Sequence, residues 1–369
     1  MNEPMAAATE PTEFPRKFGS HLAHSARVHL GPVAIVLLFA IAGGVVGAQY
    51  GLSIFRAVWL YIPTYLYVVP LAIALILALR GTRIILVDRP KRPLSMLVRE
   101  IRERWATPEV IAFALPVLFF MPVFAGTFTL FKSLVSQINP FAWDETFAHW
   151  DEILHFGYAP WELLQPILGH PAITWSVNWG YNAWFFVLAL VWIWQAFSLR
   201  DRHLRLQFFY TLLLSWILLG CIGAIVFASA GPCYYGLVVD GPDPFAPLMA
   251  YLHDADAVNG VWALSAQETL WRVLNAEELQ LGGGISAMPS MHVAMAFLFF
   301  LVARRASRIL GTLLFAYFLL ILIGSVHLAW HYAIDGYFAV LATLAIWFVS
   351  GRLATLTYPA TARAVPVPA

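Results

Sequence analysis

The chain is 369 residues long; 60% of them are hydrophobic and 12% are charged, with a formal net charge of +1. Soluble domains carry about a quarter charged residues, so this composition belongs to a polytopic membrane protein and not to a water-soluble domain. No nucleic-acid motif or glycine-rich nucleotide loop is present, and the two cysteines, Cys221 and Cys233, lack the CxxC spacing of a metal site.

Residues 1–28 are polar and contain prolines, without the charged, then apolar, then cleavable order of a signal peptide. A disordered cytoplasmic tail is expected there. Charge-free or nearly charge-free runs follow at 28–55, 57–79, 110–131, 173–199, 206–230, 291–303, 309–331 and 333–351. They predict an all-α polytopic bundle of eight membrane spans, the sixth being short unless it reaches back into the turn before it. All but Arg56, Lys132 and Arg272 of the 22 Lys and Arg fall before the first span or after the second, fourth, sixth and eighth. The positive-inside rule then puts both termini in the cytoplasm and the loops after odd-numbered spans outside. Spans one and two form a scaffold that runs, with a basic linker, over 29–105. The larger membrane domain covers 106–352, and 353–369 is a second cytoplasmic tail. The linker, rich in Arg between 80 and 104, either sets the topology or lies on an anionic leaflet.

Lys132 stands alone at the outer end of the third span, where a lysine either snorkels or supplies charge to an anion. In the loop that follows, Trp143, Phe147, Trp150 and Leu154 recur at helical spacing beside a stripe of Asp144, Asp151 and His155. That pattern predicts an interfacial amphipathic helix, aromatics toward lipid and acids toward water or a bound headgroup. The second outer loop opens with Gly231-Pro232-Cys233-Tyr234-Tyr235. A second amphipathic helix is predicted around 268–279 and carries Arg272, paired to Glu268 or Glu277 or turned toward a site. The glycines at 282–284 allow close backbone approach to a phosphate or to another helix.

Pro289-Ser290-Met291-His292 opens the sixth span, and His331-Tyr332-Ala333-Ile334-Asp335 starts at the end of the seventh. Two antiparallel spans joined at Arg304, Arg305 and Arg308 return the chain to the side it left. His292 and His331 therefore share one membrane face, with Asp335 one turn beyond His331 if the helix continues.

The first of these segments resembles the Pro-Ser-x-His core of the second signature of the type 2 phosphatidic acid phosphatase (PAP2) superfamily, and the second is similar to the end of its third. The glycine-rich lead-in, the His-Tyr-x-x-Asp ending and the Gly231 to Tyr235 segment look most like the branch of Aur1/Ipt1-type inositolphosphotransferases. The resemblance covers roughly residues 125–350. It implies a PAP2-like catalytic core that works without a cofactor or metal on a lipid phosphate donor, with a lipid alcohol or water as acceptor. His331, oriented by Asp335, would attack phosphorus to form a phosphohistidine, and His292 would protonate the leaving alkoxide. Ser290, Gly284 and Tyr235, with Asp144 and Asp151, would be substrate contacts. The superfamily's usual phosphate-binding Arg stands six residues before its third-signature His, where this chain has Ser325, and the Lys-x6-Arg-Pro signature is missing. Lys132, Arg272 and His327 are the candidates for the clamp. Three other readings stay open: a lipid phosphate phosphatase, a metal site of His327, His331 and Asp335, and a proton-coupled transporter using the same residues.

Overall fold

A computed structural model describes residues 13–276 and 279–358. Among them there is no strand, and the helices of eight or more residues are α1 (Glu13–Val28), α2 (Leu30–Gln49), α3 (Ile54–Arg83), α4 (Pro93–Glu100), α5 (Pro108–Ser133), α6 (Asp144–Leu154), α7 (Pro160–Leu168), α8 (Pro171–Asn182), α9 (Trp184–Phe197), α10 (Arg202–Ile217), α11 (Ala246–Asn259), α12 (Trp262–Asn275), α13 (Met291–Ala306), α14 (Arg308–His327) and α15 (Ala333–Thr357). The chain is an all-α, multi-pass membrane bundle. Among the described residues, seven helical segments are long and apolar enough to cross a membrane. The predicted sixth span is α13, whose 16 residues reach about 24 Å at 1.5 Å per residue, short of a hydrocarbon core of about 30 Å.

Helix boundaries follow local chemistry. Thr107 caps α5 by accepting the Val110 N–H, with Pro108 at the first helical position. Asp201 caps α10 through the Leu204 N–H at 2.8 Å. Ser307 alone separates α13 from α14 and caps the latter through the Leu310 N–H, which makes the pair a tight antiparallel hairpin. The bundle's centre is aromatic, with Phe113, Trp184, Phe208, Phe209 and Phe299 fully buried. Leu, Phe and Trp side chains of α2 and α3, such as Phe55 and Trp59, are exposed, as expected of surface that faces lipid tails.

One expectation for the N-terminal part needs correction. Residues 13–28 are not a disordered tail: they form α1, which packs on α5, while 1–12 and 359–369 lie outside the described residues. The basic linker is also structured. Arg80 bonds Glu100 through two nitrogens at 2.8 and 2.6 Å and pairs with Asp88 at 3.0 Å, so α4 folds back against the end of α3.

Candidate active site

Three loops converge at the end of the bundle opposite the α13–α14 turn: 228–235, 284–290 and 328–333. Main-chain bonds tie them together. Ala287 donates to the Ser229 carbonyl at 2.9 Å and Met288 to the Ser229 hydroxyl at 3.2 Å, Cys233 to the Ala329 carbonyl at 2.9 Å, and Ser290 to the Asp335 carbonyl at 3.3 Å. Gly231, at φ +105°, lies so close to the Trp330 carbonyl that a Cβ would sit 2.8 Å from it, an approach and a backbone conformation open to glycine alone.

α14 does not continue through His331. Ala329 adopts φ +58°, and the Trp330 and His331 N–H groups both fold back onto the Ser325 carbonyl at 2.9 and 3.1 Å, closing the helix end as left-handed caps do. His331 therefore sits in the turn, and α15 begins at Ala333. Asp335, in the first turn of α15, accepts the Tyr332 N–H at 3.0 Å through Oδ2, and the same oxygen lies 3.3 Å from His331 Nδ1. The expected His–Asp relation is present but spans a helix junction. Asp335 Oδ1 has no hydrogen-bond partner among the described residues.

His292 is the second residue of α13, whose cap is Ser290 accepting the Val293 N–H. Its ring stacks on Tyr181 at 4.8 Å and packs on Trp184 at 4.3 Å, and the Trp184 indole donates to the His292 carbonyl at 3.0 Å. The break at Ala183 between α8 and α9 is what presents both aromatics. The rings of His292 and His331 are 6.4 Å apart. Lys132, in the last turn of α5, donates to the Ser286 carbonyl at 3.3 Å, and its ammonium is near enough to act on both imidazoles. Burial first, then the Lys132 charge, pushes His331 down to about 3, with the Ala287 backbone pulling the other way, so the ring is neutral at physiological pH.

The remaining sequence-predicted contacts are placed elsewhere. The acidic stripe of α6 faces inward, not toward water or a headgroup. Asp144 accepts the Ala230 and Gly231 N–H groups and the Tyr332 hydroxyl, each at 2.8 Å. Asp151 accepts Ala333 and Ile334 N–H at 2.6 and 2.9 Å; burial pushes its carboxyl up to about 7 while those two donors pull it down. Both acids staple loops, because a buried amide left unpaired costs more than the bond it replaces. The aromatic stripe is likewise not wholly lipid-facing: Phe147 is buried against Tyr332 and Phe227. Tyr235 packs on Phe245 behind Tyr332. Gly284, at φ +90°, abuts the Lys132 carbonyl where no Cβ fits, so the approach of its loop to α5 requires glycine. Arg272 is exposed on α12 and bonds Thr269 of its own helix at 3.4 Å; Glu277 lies outside the described residues. α12 itself starts at Trp262, earlier than predicted. His327 is fully buried with Nε2 2.9 Å from the Thr174 hydroxyl, a core histidine. Because the helix ends at His327, the His327–His331–Asp335 stripe does not assemble, and no three His, Cys, Asp or Glu are grouped to hold a metal among the described residues.

Sequence reasoning did not find Tyr181 and Trp184, Ser229, or the wide helical turn Leu218–Gly223 that lies against Pro289 and Met291. Only that turn carried a signal, two glycines inside an apolar run.

The fold and the site define a multi-pass membrane protein with two histidines and a buried aspartate at one end of its bundle. Residues 145–349, more than half of the chain, match the PAP2 superfamily, and the chain belongs to that superfamily, whose activity is of the lipid phosphate phosphatase or phosphotransferase type. No curated protein and no solved structure matches it.

Proposed function

We propose that the protein is a lipid phosphotransferase that moves a phosphoryl headgroup, in the first instance phosphoinositol, from a donor lipid to the hydroxyl of an acceptor lipid. The observation that carries this reading is the pair of imidazoles 6.4 Å apart with Asp335 on Nδ1 of one of them. With Nδ1–H donated to Asp335, the other nitrogen of His331 keeps its lone pair for attack on phosphorus. A P–N bond forms as the P–O bond to the donor's alcohol breaks, and His292 gives its proton to the departing alkoxide. His292 then takes the proton of the acceptor hydroxyl, whose oxygen attacks phosphorus and releases His331. The Lys132 ammonium, whose charge acts on both imidazoles, takes the part of the missing arginine and offsets the phosphoryl charge. Ser290, at the amino end of α13, adds a hydroxyl and a helix terminus that favours an anion.

Water in place of the acceptor lipid would make the enzyme a phosphatase. The near-complete burial of His331, 7% exposed, supports transfer, because bulk water has little access to the phosphohistidine. The gathering of basic residues at the other end supports an outward-facing site, periplasmic or luminal, with cytoplasmic termini. The test is to incubate purified protein with headgroup-labelled phosphatidylinositol, with and without ceramide or a diacylglycerol whose chains differ from the donor's. Transfer requires label in a new lipid only when acceptor is added, and covalent label on wild-type protein but not on His331→Ala. Free inositol phosphate as the sole product under both conditions refutes transfer.

A further inference from the structure

At the end of the bundle opposite the histidine pair, a cleft of about 560 Å³ opens between α10, α13 and α15. Its inner wall is fixed by the protein's own bonds. Gln207 donates to the Trp347 carbonyl at 2.9 Å, and His203 Nε2 lies 3.1 Å from both the Gly351 carbonyl and the Thr355 hydroxyl. Arg305, from the last turn of α13, and Arg352, from α15, line the same cleft, and both are exposed.

These two arginines differ from others at this end. Arg80 is held by Glu100 and Asp88, Arg202 by Glu109, and Arg205 by the carbonyls of Phe113, Gln195 and Ala196. Arg304 lies over the Phe300 ring. Arg305 and Arg352 have no acidic partner among the described residues, and no carboxylate lines the cleft. Two guanidinium groups on one cleft repel each other until an anion with several acceptor oxygens lies between them. The same cleft is bordered by Phe348 and Val349, 64% and 53% exposed, on the face of a spanning helix that meets acyl chains.

We propose that this cleft binds the phosphate-bearing headgroup of an anionic phospholipid from the leaflet at the basic end, with Arg305 and Arg352 on its phosphate oxygens and Phe348 and Val349 along its chains. Basic clefts between spanning helices are suited to such headgroups. The bound lipid ties together α13 and α15, the helices that carry His292 and Asp335 at their opposite ends.

The experiment uses the full chain in neutral detergent, offered equal amounts of phosphatidylglycerol and phosphatidylcholine, with retained lipid counted by native mass spectrometry. Wild type retains phosphatidylglycerol in preference. A cation at an anionic leaflet is worth about 1 kcal/mol, or about fivefold. Arg305→Gln therefore lowers the preference about fivefold and Arg305→Gln/Arg352→Gln about 25-fold on the same basis. Arg304→Gln/Arg308→Gln removes the same charge outside the cleft and leaves the preference in place. Equal loss in both double variants, or no preference in wild type, overturns the site. Displacement of the lipid by millimolar inorganic phosphate overturns the lipid assignment in favour of a free anion.

Discussion

Replacing Lys132 with Met removes the positive charge nearest the histidine pair and keeps a side chain of similar length. The ground-state loss is one long hydrogen bond, 3.3 Å to the Ser286 carbonyl, worth about 0.5–1.5 kcal/mol net, and the packing of Gly284 on the Lys132 backbone is untouched. The fold should survive. In the transition state the loss is larger, because an oriented donor facing developing phosphoryl charge contributes about 10²–10³-fold in rate, roughly 2.7–4 kcal/mol. Arg272→Met, on an exposed residue bonded only within its own helix, should change the rate less than about twofold, in line with ordinary surface substitutions. The assay is single-turnover transfer from labelled phosphatidylinositol to ceramide in mixed micelles, run beside thermal unfolding of each variant. Near-normal turnover for Lys132→Met together with a slow Arg272→Met would place the clamp in the second outer loop and refute the assignment.

The other predictions concern the surroundings of the pair. His331 is held at about 3, and in the proposed mechanism its neutral form is the nucleophile, so the acid limb of the kcat/KM profile should lie well below pH 6.5. Removing the Lys132 cation makes protonation easier, and the limb of Lys132→Met should move upward; an unmoved limb would disprove the coupling. Asp144→Ala strands two N–H groups and one hydroxyl, each costing about 1–3 kcal/mol, so denaturation in detergent should show a loss of about 3–9 kcal/mol, and a loss under 1 kcal/mol would sink its role as a staple. Because His327 is turned to Thr174, EDTA should leave turnover unchanged, whereas loss of activity restored by zinc would revive a metal site.

How far the sequence could be read follows from what each residue depends on. The spans and the α13–α14 hairpin were legible because a charge-free run and a cluster of arginines have one cheap placement in a bilayer. His292, His331 and Asp335 were legible through motifs that occupy the ends of those spans. The metal stripe failed because i, i+4 spacing presumes one helix, and Ala329 in a left-handed conformation ends it between His327 and His331. Asp144 and Asp151 were misread because a period of seven residues says which acids share a face but not what meets it; their partners lie at 230–231 and 333–334, far along the chain. Tyr181 and Trp184 sit in an aromatic-rich span, where a ring that packs on a histidine looks like a ring that meets lipid.

The pins on the site loops, at Ala230, Gly231, Ala287, Met288, Ala333 and Ile334, bracket the excursion that contains α11 and α12, and the excursion adds its own: Gln267 of α12 donates to the Leu328 carbonyl at 2.9 Å, and Phe245 packs on Tyr332. The excursion is thereby part of the frame around the histidine pair and not a separable module. Shortening residues 240–280 would take a hydrogen bond from the turn that leads into His331 and a ring from beside Tyr332. A change of length in that loop therefore reaches the imidazoles through the turn at Leu328, so the loop and the pair have to change together.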